Sequence, residues 1–265
     1  MLMTFKDRVF LEFRQLWQYK GTIALCIFLM VYVASALGRN LAYYRAVQGP
    51  RLNDLGFELI PELPEHLKIW SEVLIYVNHI IGIMVILSPL FLNTDYSIVL
   101  IGKRILTILT VGHMVRIVMY LSTTLPGPAS HCQPGSPEFH PPTTLWDVFF
   151  RFSTYNDLNC GDLIFSGHIF QNISFSILTR LYARRLYHPI LANVLIVAQM
   201  VNTALQVVFV LAARNHYSID LVVGIYVTIT LWLLLCKTKQ IENEVDTIRH
   251  AKQSLESDEV PSEMI

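Results

Sequence analysis

Charge is scarce in this chain of 265 residues: Asp, Glu, Lys and Arg together make up 15%, against 53% hydrophobic residues. So little charge excludes an ordinary soluble domain, whose charged share is near a quarter. The charges present cancel, 20 basic against 20 acidic, so nothing suggests a nucleic-acid partner. The 4 cysteines are too few for a disulfide scaffold. Cys26 and Cys236 fall within apolar runs, while Cys132 and Cys160 lie in or beside one long polar segment, where their pairing is left open. No internal repeat is evident. No cleavable signal peptide is expected, because residues 1–20 are rich in charge and the apolar run after them is long enough to span a bilayer.

What the chain has instead is long hydrophobic runs. Six are read as transmembrane helices: 21–38, 69–92, 105–121, 163–181, 190–212 and 217–236. Each approaches the roughly 20 residues that cross about 30 Å of hydrocarbon. The fold class is therefore all-α, a polytopic membrane protein. Residues 1–20 form an amphipathic N-terminal segment, 21–236 the membrane domain and 237–265 a polar tail. Lys6, Arg8, Lys103, Arg104, Arg184, Arg185 and Lys237 fall on one side of the expected membrane, which places both termini in the cytosol. The proline-rich segment 122–162 and the turn at Arg214 and Asn215 then face the lumen or exterior, with the aromatic stretch 146–152 at the interface.

Two polar clusters interrupt this pattern, each where an apolar run begins. One is Cys160-Gly161-Asp162-Leu163-Ile164-Phe165-Ser166-Gly167-His168; the other is His216-Tyr217-Ser218-Ile219-Asp220. Ionisable groups at the edge of hydrocarbon are costly, and by default they mark a function. His216 and Asp220 lie four residues apart at a helix start and share a face. The carboxylate can hold the imidazole in one tautomer, leaving the other ring nitrogen to attack an electrophile. His168 can donate or remove a proton. Arg116, inside the third span, can neutralise a phosphate oxygen through its planar fork. Asp162 and Ser166 can orient His168, and Asn215 is placed to sense a head group.

Plainer readings apply elsewhere. His79 and His113 are expected to be packed, hydrogen-bonded residues of the spans. A metal at His216 and Asp220 is the weaker rival, since no third ligand stands at a familiar spacing. Neither metal nor cofactor is expected. Asn172-Ile173-Ser174 has the glycosylation pattern but lies inside a span, out of reach of the modifying enzyme.

The clusters resemble motifs of the sphingomyelin synthase-like family, within the lipid phosphate phosphatase superfamily. Cys160 to His168 is similar to its third motif, C-G-D-x-x-F-S-G-H, and His216 to Asp220 to its fourth, H-Y-[ST]-x-D. Residues 116–126 resemble the second motif, and 61–65 are a looser copy of the first. The resemblance implies transfer of a phospho-head-group from a glycerophospholipid to ceramide, releasing diacylglycerol, at the lumenal face of the Golgi or the outer face of the plasma membrane. It implies His216 as nucleophile, Asp220 as its orienting acid, His168 as acid–base group, and a supporting role for Cys160 and Asp162. Residues 50–57, Leu125 to Cys132 and Arg214 look closer to plant and kinetoplastid synthases. That favours phosphatidylinositol as donor, with phosphatidylcholine and phosphatidylethanolamine left open, as is a homo-oligomer. Two other functions stay in view: a lipid phosphatase or phospholipase C-type hydrolase, and a non-enzymatic transporter or scaffold.

Overall fold

The computed structural model describes residues 5–18, 20–92, 94–151 and 160–236. The polar tail expected at 237–265 lies outside the described residues. The described regular structure is helical throughout. The long helices are α1 (Phe5–Gln18), α2 (Gly21–Tyr44), α4 (Trp70–Leu87), α5 (Ile98–Ser122), α7 (Gly167–Leu186), α8 (Pro189–Ala212) and α9 (Ser218–Leu235), with short α3 (Leu55–Leu59) and α6 (Leu145–Phe150) between them. Among the described residues, five segments are long and apolar enough to cross a membrane: Gly21–Tyr44, Glu65–Leu90, Ile98–Ser122, Pro189–Ala212 and Ser218–Leu235.

The expected fourth span is the exception. Its helix starts at Gly167, four residues later than the run 163–181, and continues to Leu186. Ser166 caps it, accepting from the Ile169 N–H at 3.5 Å, and Arg184 and Arg185 sit in its last turn, where the helix dipole favours cations. This helix is less apolar than its neighbours because protein surrounds it. Phe170, Phe175, Leu178 and Tyr182 of α7 form the main core with Val85 of α4, Ile101, Ile105 and Ile108 of α5, and Leu231 and Trp232 of α9. Ala183 packs against Ala192 and Ile196 of α8. Asn172 is wholly buried.

Contacts along the helices fix their directions. Ser35 of α2 meets His113 of α5 and Gly38 meets Tyr120, so these two run parallel. Glu72 of α4 meets His168 of α7, and His79 meets Gln171, so α4 and α7 also run parallel. Arg104 of α5 reaches Tyr182, and Arg116 reaches Phe165, so α5 opposes α7. Ser176 of α7 meets Thr203 of α8 while Ala183 packs on Ala192, so α8 opposes α7 too. The α4 and α8 helices are joined by side-chain amides: Gln206 donates to Ser71 O at 2.6 Å, Asn202 to Leu74 O at 2.7 Å and Gln199 to Asn78 O at 3.0 Å. Such bonds hold helices together where burial against lipid supplies no drive. His79 and His113 occupy the packed roles expected of them. His79 bonds Ile75 O and Gln171, and His113 lies between Ser35 and the edge of Phe170.

At one end α1 lies against the bundle. Its Glu12 accepts from the Ser97 hydroxyl and from the N–H groups of Ile98 and Val99, closing the N-terminus of α5. Phe10, Phe13 and Trp17 of α1 remain exposed, the amphipathic pattern read from the sequence. At the other end the irregular segments gather. The loop at Gly161 lies directly on α2: a Cβ there would stand 2.4 Å from the Ala42 carbonyl carbon and 2.5 Å from the Tyr43 nitrogen. Backbone cannot yield to such a contact, so Gly161→Ala should cost about 1–3 kcal/mol. Gly102 of α5 has open space around it, and Gly102→Ala should hold or gain about 0.5–1 kcal/mol. Thermal melting of the two variants in detergent micelles checks the contrast; equal melting temperatures would contradict the close packing at Gly161.

Candidate active site

The irregular end builds its chemistry around α9. Asp220 occupies the first turn of that helix and is completely buried. Its Oδ2 accepts from the Tyr217 N–H at 3.1 Å, its Oδ1 from the Ile164 N–H at 2.8 Å, and its backbone carbonyl from the Ser166 N–H at 3.1 Å. Ile164 is held at φ 74°, a left-handed conformation rare for a β-branched residue. Asp220 Oδ2 also meets His216 Nδ1 at 3.1 Å. A carboxylate only accepts hydrogen bonds, so Nδ1 of His216 donates to it and Nε2 is the ring nitrogen left to meet other groups.

His168 enters from the first turn of α7, and its ring centroid stands 5.8 Å from that of His216 at an interplanar angle of 71°. Its Nε2 meets Glu72 Oε1 of α4 at 2.8 Å. The end therefore holds two acid–imidazole pairs on three helices, facing each other. Within that span one imidazole can bond to an electrophilic atom while the other exchanges a proton with a group attached to it.

Arg116 comes from α5. Its Nε donates to Phe165 O at 2.8 Å, and it forms an ion pair with Asp162. Gly167 makes this approach possible, since a Cβ there would lie 2.7 Å from the guanidinium carbon. The guanidinium thus sits beside the N-terminus of α7, where backbone N–H groups and the helix dipole already favour an anion. Asp162 and Ser166 take places other than beside His168: Asp162 holds Arg116, and Ser166 caps α7. Asn215 donates to Ser71 Oγ at 3.0 Å, and the disulfide Cys132–Cys160 fixes the start of the Asp162 segment. His131 stands near the two sulfurs, but these are bonded to each other and take no metal in that state.

Glu72 was missed by the sequence reading, although an acid three residues into an apolar run is itself a signal. Arg214 was noted without a role. At the rim, burial pushes the Glu62 carboxyl up, but hydrogen bonds and charge from Lys68 and Arg51 outweigh it and hold it below the usual carboxylate range. Burial pushes the His131 imidazole down.

Residues 159–238, which carry Asp162, His168, His216 and Asp220, match the family described as PAP2 superfamily C-terminal. A phosphatidylinositol:ceramide inositolphosphotransferase of Oryza sativa subsp. indica is 30% identical over 80% of this chain and 64% of its own length. Phosphatidylinositol:ceramide inositolphosphotransferase 3 of Arabidopsis thaliana is 29% identical over 84% of this chain and 74% of its own length. Sphingomyelin synthase-related protein 1 of Homo sapiens is 26% identical over 82% of this chain and 52% of its own length. These relatives bear out the resemblance read from the motifs. The chain spans just under two thirds of the rice relative's length, 64%.

The disulfide is directly testable. The free cysteines are Cys26 and Cys236. Maleimide labelling of the unfolded, unreduced chain should therefore modify those two alone, and all 4 cysteines only after reduction. Labelling of Cys132 or Cys160 without reductant would refute the bridge.

Proposed function

We propose, from the match of residues 159–238 to the family described as PAP2 superfamily C-terminal, that the chain is a sphingolipid synthase that moves a phospho-head-group from a glycerophospholipid to ceramide. One observation carries this reading: His168 in the first turn of α7 and His216 just before α9 converge, each with its own carboxylate. Nε2 of His216 attacks the donor phosphorus, and as the N–P bond forms the P–O bond to diacylglycerol breaks. Protonated His168 gives its proton to the departing oxygen. The primary hydroxyl of ceramide then returns a proton to His168, its oxygen bonds to phosphorus, and the N–P bond breaks. Proton count and charge balance over the cycle, and two easier steps replace one hard one. Arg116 and the N-terminus of α7 stabilise charge on the phosphoryl oxygens. Asp162 and the disulfide hold Arg116 and its loop, and Asn215 lies where it can read the head group.

Phosphatidylinositol is the favoured donor, in keeping with the names of the plant relatives. We further read α2, α4, α5, α7, α8 and α9 as six alternating spans with both termini in the cytosol. The site then opens to the lumen of the Golgi or to the cell exterior. In that setting the lipids enter from the bilayer while bulk water is limited.

Full-length chain in liposomes, given labelled phosphatidylinositol, should yield labelled sphingolipid only when ceramide is present. Label released as a free phosphorylated head group without ceramide would instead identify a hydrolase. His216→Ala should lower turnover by about 10⁴–10⁶-fold, and Glu72→Gln by about 10²-fold. Unchanged turnover in His216→Ala would end the covalent mechanism.

A further inference from the structure

We propose that Arg214 is a positioning residue for His216, and that residues 52–63 form a strap which this arginine rivets over the His216 turn. The inference deepens the proposed phosphotransfer and rests on its assignment of His216 as nucleophile. Arg214 lies in the short connection between α8 and α9, two residues before His216, with only 5% of its surface exposed. Its backbone adopts φ 60°, a left-handed conformation that a non-glycine residue keeps only where its surroundings enforce it.

The guanidinium shows what enforces it. Nη1 donates to Leu211 O at 2.9 Å, and Nη2 donates to Phe57 O at 3.3 Å and to Ile60 O at 2.9 Å. The guanidinium carbon stands 4.3 Å from the centre of the Phe57 ring, and Nε lies 3.8 Å from the Glu62 carboxylate. A buried cation is expensive unless its hydrogens are used. Here one hydrogen bond goes to the turn and two go to the strap, with the Glu62 carboxylate close to Nε.

The strap grips the same turn by its own groups. Leu52 N donates to the Tyr217 hydroxyl at 3.2 Å, and Leu63 N to Ala212 O at 2.9 Å. Asp54 accepts from Ser218 N at 2.8 Å and from Ser218 Oγ at 2.7 Å. Residues 212, 214, 217 and 218 are thus all held by one segment, on both sides of His216. Asp220 fixes the tautomer and tilt of the imidazole, and the strap fixes where the backbone delivers it. A lysine could not replace the arginine fully, because the fork must reach carbonyls on two segments while its plane rests on an aromatic face.

The test uses Arg214→Gly in the full chain, reconstituted in liposomes beside the wild type. Glycine accepts a positive φ without strain, so this variant removes the guanidinium and spares the backbone. The expected result is a kcat about 10–100-fold lower, with KM for donor and ceramide within about twofold of wild type. Guanidinium ion at low concentration should restore part of the rate, and hydrogen exchange across residues 52–63 should quicken in the variant and slow again with the ion. Unchanged kcat, a rise in donor KM alone, or unaltered exchange across 52–63 would overturn the proposal. Should Arg214→Gly fail to fold, Arg214→Lys carries the same kcat, KM and exchange criteria. If the wild type transfers no head group to ceramide, the phosphotransfer reading falls, and the exchange result alone decides the strap.

Discussion

The site depends on a single buried carboxylate. Asp220 has no contact with water, and an ion so placed must recover its lost hydration from the protein. It does so by collecting N–H groups from two directions: Tyr217 and the His216 ring from its own helix start, and Ile164 from the loop before α7. Its backbone carbonyl takes the Ser166 N–H as well. The bonds that satisfy the charge are therefore the bonds that bring the α7 and α9 N-termini together. His168 and His216 meet because each sits beside one of those N-termini.

Further constraints close a ring around that carboxylate. The Tyr217 hydroxyl donates to Pro126 O at 2.8 Å. From Pro126 the chain runs to Cys132, crosses the disulfide to Cys160, and continues to Ile164, which returns to Asp220. Gly127 lies within van der Waals reach of both cysteine side chains, so the loop is packed onto the bridge. Irregular backbone at the edge of an apolar bundle is tolerable only where its polar groups find partners within the protein. Here the ring and the strap supply them, and the same partners hold the His216 turn and the Asp162 segment in place.

The five long apolar helices were legible because apolar runs of the right length leave few alternatives, and both motifs fell where helices begin. The boundary of α7 was not legible. Leu163 to Phe165 are apolar and read as helix, but Ile164 and Phe165 are drawn off into hydrogen bonds with Asp220 and Arg116. Polarity also hid this helix: Asn172, Arg184 and Arg185 weaken it as a span, yet its lining is other helices. Roles that depend on pairing across the fold were the least visible. Glu72 belongs to His168 although 96 positions separate them, and Arg214 serves carbonyls more than 150 positions away. No local pattern carries that information. Asp162 illustrates the reverse error, since nearness in sequence to His168 suggested a partnership that Arg116 takes instead.

The two acid–imidazole pairs differ in exposure, and the difference fits a division of labour in the proposed reaction. The His216 and Asp220 side chains are 6% and 0% exposed, whereas those of His168 and Glu72 are 21% and 44% exposed. A nucleophile that carries a phosphoryl group must be kept from water, because a hydrolysed intermediate is a lost transfer. A proton carrier has the opposite need: it must reach first a departing lipid oxygen and then an arriving hydroxyl, on the side where lipids exchange. Burial therefore suits His216 to hold the intermediate and openness suits His168 to serve both lipids. The same fold that restrains one imidazole from every side leaves the other its single acid and a free edge. Selectivity for ceramide over water, on this reading, comes from how little of the His216 side is open rather than from any group that recognises water and rejects it.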